Sequence, residues 1–355
     1  MISRVNMSAL SRRMPAEWEP HERTWMVFPP ANPTFGADGS DTLTAARAAW
    51  AGVARLIAGY EPVTLIAGIG QDRIAGRLVG TGVSVVERAL DDAWARDSGP
   101  TFTIDDGARL GAVDWVFNGW GAQDWAVWEA DSRLGADIAE QAGATVRHSA
   151  LTNEGGGIHV DGSGTVLLTE TVQLDPDRNL GWTRDQVEAE IHTQLGSRHA
   201  IWLPRGLTGD YGPFGTRGHV DIVATFTPTG PVAVHSQPDP AHPDFEVSRA
   251  LIALLRASTD AAGHGLEIVE VPAPTLLEVD GRPADYSYLN HYVGNGFVLV
   301  GTFDDPRDEV ALDLLARLYP GRRVEGVDGR AIFAHGGGVH CITQQQPRLP
   351  ATIGG

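Results

Sequence analysis

His335-Gly336-Gly337-Gly338-Val339-His340-Cys341, close to the end of the chain, repeats the pattern of Glu154-Gly155-Gly156-Gly157-Ile158-His159-Val160. A triple glycine lets backbone approach another group closely, because no Cβ stands in the way. Superposing the two copies puts Cys341, the only cysteine in 355 residues, where the earlier copy has Val160. The echo predicts one structural unit used more than once, with a thiol fitted to one copy. A cysteine taken alone is commonly a small buried hydrophobe. Set behind a glycine loop, it is also placed to be a nucleophile.

Working outward, short apolar strands alternate with helical stretches. Strands are expected at 24–28, 62–67, 83–88, 110–117, 145–148, 165–169, 200–203, 220–226, 232–235, 266–271 and 322–327, with strand-like sequence at 289–300 around Asn295-Gly296. Helical spacing marks 42–58, 71–78, 132–142, 183–195 (opened by Thr183 as N-cap), 243–257 and 308–318. Residues 91–102 read as a loop. Residues 1–13 read as a ragged, disordered tail, and 14–350 as one α/β domain without a low-complexity linker. A doubly wound sheet would give the same alternation. The echoed loop favours about five similar strand–helix units with a site where their loops converge.

Composition narrows the function. The chain holds 27 basic and 45 acidic residues, a formal charge of −18, which disfavours a nucleic-acid partner and suits a small cation. A single cysteine fits a reducing, cytoplasmic setting. No signal peptide and no apolar run of membrane-spanning length is seen. Every basic residue is arginine, so a Schiff-base lysine and a phosphate-loop lysine are both excluded. No cofactor is expected, and a homo-oligomer such as a dimer is compatible with the sequence.

Two further stretches offer partners to the thiol: Gly218-His219-Val220-Asp221 and Trp94-Ala95-Arg96-Asp97. Cysteine with histidine supplies a nucleophile and an acid–base group. Extra carboxylates would oppose the oxyanion of a protease, but they suit a planar cation, and guanidinium is the natural candidate. In this reading Asp97 and Asp221 hold its N–H groups, Trp94 walls or stacks on it, and Cys341 attacks the central carbon. His219 protonates departing ammonia and then activates water, while Glu154 orients His219 or the substrate. The second His-Val-Asp, at 159–161, also leaves a metal site with two His-x-Asp arms as a competitor. His159 itself reads as structural. Trp115, Trp120, Trp125 and Trp128 read as mostly core, with one at the site at best.

Met-Pro-Ala-Glu-Trp-Glu-Pro (14–20), Trp-x-Arg-Asp-x-Gly-Pro-Thr-Phe (94–102), Glu-Gly-Gly-x-Ile-His-Val-Asp-Gly (154–162), Gly-His-Val-Asp (218–221) and Gly-Gly-Gly-x-His-Cys-Ile-Thr-Gln-Gln-Gln-Pro (336–347) together resemble the agmatine deiminases, which stand with the bacterial peptidylarginine deiminases among the guanidine-modifying enzymes. The resemblance covers nearly everything after residue 13. It implies a five-bladed α/β propeller, no metal or cofactor, and Cys341, His219, Asp97, Asp221 and Glu154 as the catalytic set. It also implies hydrolysis of agmatine to N-carbamoylputrescine and ammonia, a step of polyamine metabolism. The family carries Asn or Ser where Gly157 and Gly338 stand, and Thr at Ser98; Gly338 is taken with the substrate-binding set. Acidic residues usually precede Gly-His-Val-Asp. Here Asp210 remains, suited to an amine tail, while Arg217 adjoins the site and is placed to receive a carboxylate. Arginine, peptidyl arginine, amidino transfer to an amine and a non-catalytic binding propeller are therefore the alternatives.

Overall fold

In the computed structural model, residues 12–279 and 281–350 are described. Five sheets share one pattern. An opening strand runs antiparallel to a central strand, and a helix then crosses over to a third strand parallel to the centre. The opening strands are Thr343–Pro347, Thr101–Asp105, Ile158–Val160, Ala224–Phe226 and Tyr292–Gly294. Their central partners are His21–Val27, Leu110–Val116, Thr165–Thr169, Val232–Ser236 and Phe297–Thr302. The third strands are Val63–Gly68, Thr145–Thr152, His199–Leu203, Ile268–Pro272 and Arg323–Asp328. This repeat matches the five blades expected from the resemblance. The last strand of the chain opens the first blade, so the two ends of the domain are sewn into one sheet.

Local sequence explains the units. The crossover helix Asp41–Ala58 begins where the Ser40 side chain accepts the Leu43 N–H, and it buries Leu43, Ala46, Trp50, Val53, Ala54 and Ile57, a stripe at helical spacing. Helix Arg184–Leu195 carries a capping box between Thr183 and Gln186 and ends on Gly196 in the left-handed region, at φ 69°. Loss of such a cap costs about 1 kcal/mol. The strand Val63–Gly68 is buried along its whole length and lies between two parallel neighbours, which is why its sequence is apolar apart from Thr64.

Three expectations need correction. Arg12–Arg13 is not tail: it pairs with Asp105 and Ile104 at the edge of the second blade. The rest of the expected tail, residues 1–11, lies outside the described residues. Thr101–Asp105 is a strand inside the stretch read partly as loop. Residues 220–223 form a turn, and strand begins only at Ala224. A sixth sheet, the hairpin of Glu278–Val279 with Arg282–Pro283, stands outside the fivefold pattern. No described helix is long and apolar enough to cross a membrane.

Candidate active site

Each blade delivers a chemically distinct residue just before its opening strand: Cys341, Asp97, Glu154, His219 with Asp221, and Asn290. These five approaches are stitched into a ring. The Arg96 N–H donates to the Cys341 carbonyl at 3.0 Å, and the Val220 and Asp221 N–H groups donate to the Gly156 carbonyl at 3.2 and 3.3 Å. The Gly156 N–H donates to Asp97 Oδ1 at 3.0 Å. Ser287 Oγ donates to the Ile222 carbonyl at 2.8 Å, and Asn290 Oδ1 accepts the His340 N–H at 3.0 Å. Residues far apart in sequence thus converge because the blades do.

Gly156 and Gly337 show why glycine is needed there. A Cβ on Gly156 would lie 2.4 Å from His219 Nδ1 and 3.0 Å from Asp97 Oδ1. On Gly337 it would lie 2.6 Å from the Trp94 ring and 3.1 Å from Cys341 Cβ. Real Cβ atoms do not tolerate such approaches, so each loop packs its bare backbone against a site side chain.

The centre holds mutually dependent charges. His219 Nε2–H donates to Glu154 Oε2 at 3.2 Å, and its Nδ1 lies 3.9 Å from Asp97 Oδ2. Burial pulls the imidazole pKa down, but Asp97, Glu154 and Asp221 outweigh it and bring it up to about 9. Glu154 is disfavoured as an anion by burial, yet Arg178 and His219 hold it down at about 2. Burial raises Asp97 above the ordinary aspartate value despite His219, while Asp221 is lowered because the His340 hydrogen bond and charge overcome burial. Cys341 Sγ sits 3.7 Å from Asp221 Oδ2 and accepts the Asn290 Nδ2–H at 3.3 Å. Burial, then Asp221 and Asp97, push the thiol far above its ordinary pKa, so it rests protonated. His219 Nδ1 and Asp221 Oδ1 are buried with no hydrogen-bond partner among the described residues. Both are available to a ligand.

A narrow cavity beside the thiol, about 10 Å³, is lined by His219, Asp221, Asp285, Phe333, Gly337 and Cys341, among others. Asp97 and Glu154 stand next to it through His219. Three expected binding residues are placed differently. Trp94 is buried in the core against Trp50, at 5.5 Å between ring centroids, and sits behind Gly337 rather than on the cavity surface. Asp210 lines the cavity, but its oxygens accept the N–H groups of Thr216, Gly218 and His219 and the Thr216 hydroxyl. It organises the loop carrying His219. Arg217 is held by Asp175 at 3.1 Å and Asp177 at 2.8 Å, so its charge is already matched. Gly338 packs its bare Cα against Asn290 and Phe333.

Several contributors escaped the sequence reading. His340 donates from Nδ1 to Asp221 at 2.8 Å and from Nε2 to Glu17 at 2.9 Å. Burial and Arg96 depress this ring, and Glu17 and Asp221 raise it above an ordinary histidine. Arg178, fully buried, donates through Nε to both Glu154 oxygens at 2.9 and 3.2 Å, through Nη1 to Asp175 at 2.8 Å and through Nη2 to the Thr216 carbonyl at 2.7 Å. Trp120 Nε1–H donates to Asp97 Oδ2 at 2.9 Å. His340 and Glu17 lie inside the 336–347 and 14–20 motifs, and nothing local marks Arg178 or Asn290. The second His-x-Asp arm does not reach the centre. Asp161 accepts from Ser163 and Thr165 in its own turn, and His159, brought down to about 4 by burial, bonds Thr225. Among the described residues no cluster of three or more His, Cys, Asp or Glu could hold a metal ion.

The chain is similar along nearly its whole length to known proteins. A Streptomyces avermitilis protein named "Putative agmatine deiminase" is 62% identical over 338 residues, 95% of this chain and 97% of its own length. The agmatine deiminase of Pseudomonas aeruginosa is 39% identical over 94% of this chain and 95% of its own. The solved structure of Enterococcus faecalis agmatine deiminase superposes with a TM-score of 0.88 at 30% identity, covering 95% of this chain and 96% of the other. Residues 13–347 match the Porphyromonas-type peptidyl-arginine deiminases, and the chain belongs to that family.

Proposed function

We propose that the protein is a thiol-dependent hydrolytic deiminase of a small guanidine, converting agmatine to N-carbamoylputrescine and ammonia. The observation that carries this reading is a buried thiol 3.7 Å from Asp221 on a cavity shared with His219, the imidazole bonded to Glu154, with His219 Nδ1 and Asp221 Oδ1 left without a partner among the described residues. A guanidinium seated between Asp97 and Asp221 would match their charge. Its arrival would remove the anionic field that keeps Cys341 protonated, so the thiol releases its proton to solvent and the thiolate forms as the substrate binds. Sulfur then adds to the guanidinium carbon. His219, charged at neutral pH, gives its proton to the departing nitrogen, and ammonia leaves an amidino-thioether on Cys341. The neutral imidazole next takes a proton from water as the water's oxygen adds to the same carbon. The carbon–sulfur bond breaks and the ureido product leaves. Glu154 holds the imidazole in place throughout, and Arg178 keeps that carboxylate ionised.

Agmatine is favoured over arginine because Arg217, the cation expected to receive a carboxylate, is already paired with Asp175 and Asp177. The names of the relatives point the same way. The test is ureido-product formation across agmatine, arginine and a peptidyl arginine. Turnover of agmatine well above the other two is expected. Preference for arginine would replace the substrate, and inactivity on all three would sink the reading.

A further inference from the structure

Asn290 enters the site from the fifth blade, in the bend just before the opening strand Tyr292–Gly294, and it is fully buried. Its Oδ1 accepts the His340 N–H at 3.0 Å, and its main-chain carbonyl lies 3.3 Å from the same N–H. The first of these bonds fixes which way the amide faces. With Oδ1 turned to a donor, the Nδ2–H is left to point at Cys341 Sγ, 3.3 Å away. The Gly338 N–H reaches the same sulfur from the triple-glycine loop.

Room for this amide depends on residue 338. A Cβ there would lie 2.3 Å from Asn290 Oδ1 and 2.7 Å from the Phe333 ring, so the bare backbone at 338 is what lets Asn290 close on the thiol. Asp221 Oδ2, 3.7 Å from the sulfur, and Asp97 both oppose a negative charge on it. A sulfur flanked by anions needs donors if it is to exist as a thiolate. Hydrogen bonds to an ionised acceptor are roughly twice as strong as those to a neutral one, so both donors gain most once the proton has gone. Resting on the deiminase reading above, we propose that Asn290 is a further catalytic residue, which with the Gly338 N–H holds Cys341 as thiolate when sulfur attacks the guanidinium carbon and again when the carbon–sulfur bond breaks. Asn290 moves no proton itself. The thiol proton leaves for solvent as substrate binds, and the departing ammonia takes its proton from His219.

The test uses the full chain, whose single cysteine makes alkylation a report on Cys341 alone. Iodoacetamide uptake at neutral pH is followed by intact mass for the wild type, Asn290→Ala and Asn290→Leu, the last keeping the amide's shape without its donor. Thermal unfolding checks that each variant is folded; the His340 N–H keeps the main-chain carbonyl of residue 290 in all of them. Truncation opens room beside the sulfur, and easier access would speed alkylation, so a slower reaction reports the lost donor. Alkylation should slow by about tenfold or more in both variants, and kcat for agmatine should fall about ten- to hundredfold with KM within about threefold. Gly338→Ala, which drives a Cβ against the amide, should slow alkylation likewise, and adding Asn290→Ala to it should cost little more. Alkylation at or above the wild-type rate in both Asn290 variants, or agmatine kcat within about twofold of wild type, overturns the assignment and leaves the deiminase reading intact. A wild type that is alkylated but turns over no guanidine overturns the deiminase reading, and this assignment with it.

Discussion

The two triple-glycine loops are built alike and do opposite jobs. Each leads into the opening strand of a blade, and each presses a bare glycine against a site side chain, Gly156 on His219 and Gly337 on Trp94 and Cys341. Their flanking residues diverge. Glu154 reaches His219, while its counterpart His335 bonds the Thr34 carbonyl and packs on Phe35. His159 is neutral and bonded to Thr225, whereas His340 bridges Asp221 and Glu17 and is pushed towards its charged form. Val160 lies in the apolar core where the other copy has the thiol. The backbone unit sets the positions, and burial with the charges facing each position decides what a residue there can do.

Cys341→Ala should reduce turnover to background with little loss of stability, and adding Val160→Cys to that variant should restore nothing, because position 160 faces the core; steady-state rates and thermal unfolding report both. Gly156→Ala should lower kcat by about a hundredfold or more, since a Cβ there must displace the imidazole or Asp97 and a shift of about 1 Å is that costly. Arg178→Lys keeps a charge but cannot bond Glu154, Asp175 and the Thr216 carbonyl together, and a fall of about ten- to hundredfold in kcat with little change in KM is expected.

His219 is raised from its ordinary value to about 9, so its charged form persists below that pH and kcat/KM should fall as pH rises through it. Glu154→Gln should move that limb downward. The smallest effect belongs to the silent copy: His159→Asn should cost about 1 kcal/mol of stability through the lost Thr225 bond and leave turnover within about twofold. His340→Asn, at the equivalent place, should lower turnover far more.

Local pattern made much of this visible. Thr165–Thr169 and Asp308–Leu318 fall where apolar spacing puts them, and the glycine echo located two of the five converging loops. What stayed hidden was set by contacts across the ring. Asp210 looked like a ligand for an amine because sequence cannot show that loop N–H groups occupy it. Trp94 looked like a stacking surface because nothing local reveals Gly337 in front of its ring. Arg178 and Asn290 carry no motif, and only the convergence of the blades gives them a role. Residues 220–223 read as strand from their apolar character, yet the chain turns there to aim Asp221 at the centre.

The claim beneath all of this is that Cys341 bonds to the guanidinium carbon. Acid-quenched intact-mass measurement during turnover of agmatine tests it most directly. A fraction of the protein should carry agmatine less one ammonia, mapped to Cys341 and absent from Cys341→Ser. Turnover with the thiol unmodified at every time point, and retained by Cys341→Ser, would contradict it.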